Sequence, residues 1–180
     1  MPKALNLVLI SSILFYSSLF AQIKNPDPER FSTNFKKFSE QDLTNQKQGS
    51  GLTLFTGSSS IRRWDTLQKD FPTLTLLNRG FGGAHISDVL YFYDDLFIRY
   101  KPTRVVFYCG ENDLWSGKAV DQVFKNFISL WKKIETDLPK CNLIYLSCKP
   151  SPKRISKWNT YQALNLRIKN FCLRKGRLTY

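Results

Sequence analysis

The sequence predicts a three-layer α/β/α sandwich built on a parallel sheet, and three observations lead there. Short runs that are apolar throughout, without polar alternation, recur four times along the chain. Stretches with apolar residues at helical spacing separate them. The segments directly after the runs are rich in glycine, polar residues or proline. Strands buried on both faces read as continuous apolar runs, and strands that alternate with helices form parallel sheets covered on each side.

The chain begins with Lys3, an apolar run over 4–20 and a small residue at Ala21, which together read as a cleavable secretory signal peptide over 1–21. An uncleaved membrane anchor is the competing reading. Ser11, Ser12, Ser17 and Ser18 interrupt the run, however, and it falls short of the ~20 apolar residues that a span needs. The expected location is therefore secreted or periplasmic, with no membrane span after cleavage. Lys3 is the only charged residue in 1–21, so cleavage leaves 159 of the 180 residues and lowers the net charge from +13 to +12. That length suits one domain. With 42% hydrophobic and 14% aromatic residues, the composition excludes a disordered chain.

Residues 22–51 form an N-terminal helix and linker. "NPDPE" at 25–29 is a turn-rich leader into a helix whose Phe31, Phe35, Phe38 and Leu43 are spaced to line one face, and the polar "TNQKQGSG" follows. The domain proper spans 52–180, with strands predicted over 52–56, 74–78, 104–109 and 143–148. Ile86, Val89, Leu90, Tyr93, Leu96 and Phe97 keep a helical period, as do Val120, Phe124, Phe127, Ile128, Trp131 and Ile134. A third such stretch carries Trp158, Tyr161, Leu164, Ile168 and Phe171.

Basic residues crowd the C-terminal third, from Lys149, Lys153 and Arg154 to Arg174, Lys175 and Arg177. A solvated surface and attraction to acidic polymers, anionic lipids or nucleic acid are the two readings. No helix-turn-helix, zinc-finger or RNA-binding signature accompanies the charge, so no nucleic-acid partner is expected. Cys109, Cys141, Cys148 and Cys172 match no zinc spacing and lie in or beside apolar runs, which favours buried free thiols. If a disulfide forms, Cys109 with Cys148 is the pair at the ends of neighbouring strands.

Ligands of open parallel sheets bind beyond the carboxyl ends of the strands. The segments there are "GSSSI", "RGFGGAH", "GENDLW" and "KPSPKR". A serine just past a strand, with Gly57 allowing a tight turn and a helix starting near Arg62, faces helix N-terminal amides that favour negative charge. By itself, such a cluster reads equally as a cap or a turn. "NRGFGG" adds glycines whose N–H can approach a substrate oxygen unhindered, and "GEND" adds an amide side chain. A carbonyl oxygen turning into an oxyanion needs donors converging from separate loops, which these two segments supply.

In these three segments the chain resembles the SGNH hydrolases, also called GDSL-type esterases and lipases. "FTGSSSIRRW" is similar to their first block, Gly-Asp-Ser followed by an aromatic; counted from Gly57 and Trp64, the nucleophile position falls on Ser59, and Ser58 stands where the family has Asp. "NRGFGGAHISDV" is similar to the second block and places the oxyanion glycine at Gly83. "YCGENDLW" is similar to the third, Gly-x-Asn-Asp, and places the oxyanion asparagine at Asn112. The resemblance implies a flavodoxin-like sandwich with strand order 2-1-3-4-5 and a serine esterase acting on a small-molecule ester, such as an acyl ester, acetylated sugar or lipid. It implies no metal and no cofactor.

The family's fourth block, Asp-x-x-His, has no counterpart before Tyr180. The one histidine, His85, lies in the second block and reads as a turn residue bonded to backbone. The expectation is thus a domain whose last strand and helix are missing and whose esterase activity is impaired for want of a base. A non-catalytic binding protein for an acylated glycan or lipid is the alternative, and a cationic surface adhesin a weaker one. Without a fifth strand, the uncharged segment 142–148 would be an open edge through which chains self-associate.

Overall fold

A computed structural model describes residues 25–44 and 51–180. The signal segment and most of the polar linker lie outside the described residues. No described helix is long and apolar enough to cross a membrane.

Five parallel strands form one sheet in the order β2-β1-β3-β4-β5. They are β1 (Thr53–Gly57), β2 (Leu76–Gly80), β3 (Arg104–Tyr108), β4 (Asn142–Tyr145) and β5 (Leu178–Thr179). The predicted order holds. The expectation that the fifth strand is missing is corrected: Leu178 and Thr179 pair with Leu143 and Ile144. Arg177 fixes the entry of β5, since its backbone oxygen accepts from Leu143 N at 2.9 Å and its guanidinium donates to Cys141 O at 2.7 Å. Leu178 is buried as a result. The chain therefore covers the first part of β4 itself, and 142–148 is not the fully open edge that was expected.

Strand residues alternate between two cores. Leu54, Leu77, Val105, Phe107, Leu143 and Tyr145 face α1 (Ser32–Thr44), α4 (Ile86–Tyr91), α6 (Val120–Asp137) and α7 (Trp158–Cys172). Phe55, Leu76, Val106 and Tyr108 face the short α2 (Ser59–Arg62) and α3 (Leu67–Asp70), with Trp64 and Phe71 filling the gaps. The remaining helix, α5 (Glu111–Trp115), follows β3 directly.

The helix at the N-terminus docks by aromatic contacts. Phe35 stacks on Phe92 at 3.8 Å between ring centres and meets Phe81 edge-on at 5.2 Å. Such pairs add about 0.5–1.5 kcal/mol each beyond the area they bury. Phe38 packs against the same cluster, whereas Leu43 is 80% exposed and does not share the apolar face expected of it.

The predicted helix over 86–97 is interrupted. α4 ends at Tyr91, and a separate π turn covers Asp94–Ile98. β2 runs two residues later than predicted because Arg79 sits inside it. Its guanidinium is buried but neutralised by Asp42 at 2.6 Å and accepted by Tyr100 Oη at 2.8 Å. All four cysteines are free and buried. Tyr145 Oη stands between the two candidates for a bridge, donating to Cys109 O at 2.9 Å and lying 3.5 Å from Cys148 Sγ.

Candidate active site

The three consecutive serines have three different environments. β1 ends at Gly57 with φ 116°, and a Cβ there would lie 2.1 Å from Tyr108 O. Only glycine lets the chain turn this close to β3. Ser58 follows as the N-cap of α2, with its N–H on Tyr108 O at 2.8 Å and its hydroxyl buried, accepting from Asn112 Nδ2 at 2.6 Å. Ser60 accepts from Lys149 Nζ at 2.7 Å. Ser59, at the first position of α2, is half-buried, and its hydroxyl has no hydrogen-bond partner among the described residues.

Ser59 opens into a cavity of about 390 Å³ that Gly83 and Asn112 also line, together with Asn34, Arg62, Arg63, Gly82 and Arg154. The structure thus brings the three sequence-predicted site residues to one place at the carboxyl end of the sheet. Gly83 has φ 87° and no heavy atom within 4 Å of where a Cβ would be, so its backbone is open to the cavity. The N–H groups of Ser59 and Gly83 have no acceptor among the described residues. Asn112 is differently placed from the expectation of a free donor. One amide hydrogen goes to Ser58 Oγ and the other to Ala84 O at 3.0 Å, while Oδ1 accepts from Arg154 Nη1 at 2.9 Å.

Arg154 also pairs with Glu111 at 3.0 Å and lies over the Trp115 ring, 5.3 Å from its centre. Trp115 carries this guanidinium on its ring and does not line the cavity. The carboxylates of Glu111 and Asp113, two residues apart on α5, diverge to separate partners, Arg154 and Lys118. Asp113 is fully buried, 3.0 Å from Lys118 Nζ and accepting from Ile86 N at 3.1 Å. Desolvation nonetheless pushes its carboxyl up to about 6.

His85 does not share the cavity into which Ser59 opens. It is buried behind the glycine loop with Nδ1 3.8 Å from Asp113 Oδ1, and its backbone N–H donates to Asp88 Oδ2 at 2.8 Å. Burial, with Lys118 and Arg30 nearby, lowers its imidazole to about 4. It is neutral at pH 7 and out of place as a base for Ser59. Among the described residues no group of three or more His, Cys, Asp or Glu side chains is placed to hold a metal.

Beyond Ser60 lies a second, mainly apolar cavity of about 380 Å³, bounded by Ile61, Trp64, Tyr108, Leu146 and Tyr180, with Lys149 among its lining residues. Tyr108 donates to Glu111 there. Burial and that carboxylate keep the phenol protonated.

Sequence reasoning missed Asn34, Arg62, Arg63 and Arg154 as cavity residues. Arg62 and Arg63 directly follow "GSSSI", and Arg154 lies in "KPSPKR", so position after a strand was a usable signal for those three. Asn34 comes from α1, far away in sequence, and carries none.

A parallel sheet with serine, glycine and asparagine loops gathered at its carboxyl edge is the architecture of an ester-hydrolase fold. The chain belongs to the GDSL-like lipase/acylhydrolase family, whose model matches residues 45–178. Its fold is similar to that of a GDSL-like lipase from Bacteroides thetaiotaomicron, with TM-score 0.69 and 22% identity over 81% of this chain and 76% of that one. A protein from Bacteroides fragilis assigned as an acylhydrolase gives TM-score 0.71 and 18% identity over 87% and 77%. A variant of an acetyl xylan esterase from Geobacillus stearothermophilus gives TM-score 0.56 and 19% identity over 71% and 75%. No curated protein matches in sequence.

Proposed function

We propose that the chain is an exported ester hydrolase in which Ser59 attacks the carbonyl carbon of a small acyl ester. One observation carries the reading: of three adjacent serines, Ser59 alone has an unpartnered hydroxyl, and that hydroxyl opens into the cavity lined by Gly83 and Asn112. The oxyanion formed by attack takes hydrogen bonds from the N–H groups of Ser59 and Gly83, and Asn112 Nδ2 joins them by exchanging one of its present acceptors. The two backbone N–H groups, fixed before reaction, stabilise such charge without reorganisation. Ser59 Oγ gives up its proton to water on attack; collapse of the tetrahedral intermediate breaks the bond to the alcohol oxygen, which takes that proton back from water, and leaves an acyl group on Ser59 Oγ. Water then attacks that acyl group and releases the acid. An acetylated sugar suits a cavity of this size and polarity, and the acetyl xylan esterase likeness supports it. The signal-like segment 1–21 supports export.

The 180 residues contain one histidine, and it does not line the cavity into which Ser59 opens. We infer that turnover by this chain is impaired, because a serine hydroxyl without a base is a poor nucleophile. Oxyanion donors and binding alone leave residual catalysis of roughly 10³ to 10⁴ over water. Prolonged incubation of the full chain with a fluorophosphonate, followed by peptide mass spectrometry, should place the adduct on Ser59 and lose it in Ser59→Ala. An adduct that survives Ser59→Ala but disappears in Ser58→Ala or Ser60→Ala would refute the assignment. No adduct at all would favour a binding protein that uses the same cavity. Self-association through the edge beyond the short β5 belongs to the same proposal, and a concentration-dependent mass in sedimentation would support it.

A further inference from the structure

The cavity beside Ser59 is walled by cations. Arg62, Arg63 and Arg154 line it with two asparagine side chains, and no carboxylate does. Arg154 is committed to Glu111 and Asn112. Arg62 and Arg63 have no ion-pair partner among the described residues. The position of Arg62 is built into the glycine loop. A Cβ on Gly82 would fall 2.8 Å from Arg62 Nε and 3.2 Å from Cζ and Nη2, so the guanidinium lies against bare backbone one residue before Gly83.

A guanidinium presents N–H donors in a planar fork that matches a carboxylate or phosphate. Unpaired cations gathered beside a reactive serine raise the local concentration of anions and fix their orientation. An apolar acyl chain gains nothing from such a wall, and the apolar cavity beyond Ser60 is the place in this molecule for one.

We propose that the cavity takes an ester whose alcohol part carries a carboxylate or phosphate, gripped by Arg62 and Arg63 while the ester carbonyl lies at Ser59. The proposal rests on the reading of Ser59 as the reacting group, but binding alone tests it. Calorimetric titration of the full-length Ser59→Ala chain would compare acetylated glucuronic acid, acetylated glycerol phosphate and acetylated glucose. At least one anionic probe should bind about tenfold or more tightly than the neutral sugar, the size of one good charge-assisted hydrogen bond. The preferred probe identifies carboxylate or phosphate as the source of the charge. The preference should weaken as salt is added. It should be lost in Arg62→Gln/Arg63→Gln, two exposed positions whose replacement should leave the melting temperature in place. Equal or undetectable binding of all three probes, a preference insensitive to salt, or one retained by the double variant would overturn the proposal. Fluorophosphonate labelling of Ser59 in the parent chain fails or succeeds independently, so the chemistry and the anion site are judged apart.

Discussion

Asn112 is held from three sides, and Arg154 sets the sense of its amide. With Oδ1 accepting from Arg154, Nδ2 points towards Ser58, the residue before Ser59, and Ala84. Ser58 occupies the place of the family's aspartate and acts here as a neutral acceptor for that amide. A lysine at 154 keeps the charge but loses the planar group that reaches Glu111 and Asn112 together. Arg154→Ala should therefore slow fluorophosphonate labelling of Ser59 by about tenfold, less than the 10²- to 10³-fold cost of deleting an oxyanion donor outright. Arg154→Lys should recover part of the rate, and exposed Lys153→Ala none of the loss. Equal rates in all four chains would show that Asn112 is oriented without Arg154. Gly57 permits the opposite kind of test, one of stability. An alanine there must adopt φ near 116° with its Cβ 2.1 Å from Tyr108 O, which forces the backbone of β1 or β3 to move. Gly57→Ala should lower unfolding free energy by about 3 kcal/mol or more in urea titration, and a loss below ~1 kcal/mol would mean that the turn relaxes freely.

Among the elements, the strands with plain apolar runs were legible in the sequence, and those held by side-chain exceptions were not. β1 and β3 fall within a residue of their predicted bounds because no charged side chain is buried in either, and the buried hydroxyl of Thr56 is satisfied by Arg79 O at 3.0 Å. β2 is shifted because a buried arginine with its own carboxylate partner looks like a strand end in the sequence. β4 stops at Tyr145 because Asn165 then takes over the backbone of Cys148, accepting its N–H at 2.9 Å and donating to its carbonyl at 2.8 Å. β5 has two residues, too few for any pattern to announce them. The serine, glycine and asparagine of the site were legible because each follows a strand. The arginine wall was not, since its members come from separate segments and only the fold places them together. β5 should behave as a local unit. Leu178→Ala removes a buried side chain, typically a loss of about 2–5 kcal/mol for such a core position. It should speed hydrogen exchange at Leu143, whose N–H is bonded to Arg177 O, more than at Val105 or Phe107 in β3. Equal acceleration in both strands would mean that β5 opens only when the whole sheet does.

At the scale of the whole molecule, a net charge of +13 coexists with a buried cluster in which acids and bases nearly balance. Arg30 meets Asp88, Lys118 meets Asp113, and His85 sits between them, joining the start of the domain to α4 and α5. Burial acts oppositely on the two kinds of group. Asp113 is pushed up to about 6 from 3.8 and Asp88 is also raised, whereas His85 is lowered to about 4 from 6.5. Between those limits the folded chain holds more protons than the unfolded one on its aspartates and fewer on its histidine. The aspartates therefore favour folding as pH falls through the window, and His85 opposes it, because the unfolded imidazole takes a proton that the folded one refuses. The two trends offset each other in the native chain. His85→Asn removes one of them and leaves the other. Urea midpoints measured for both chains across the window should diverge: lowering pH from about 6.5 to about 4 should cost the native chain stability relative to His85→Asn. A difference that stays constant with pH would mean that His85 titrates alike in the folded and unfolded states, and that the cluster around Asp113 does not hold it neutral.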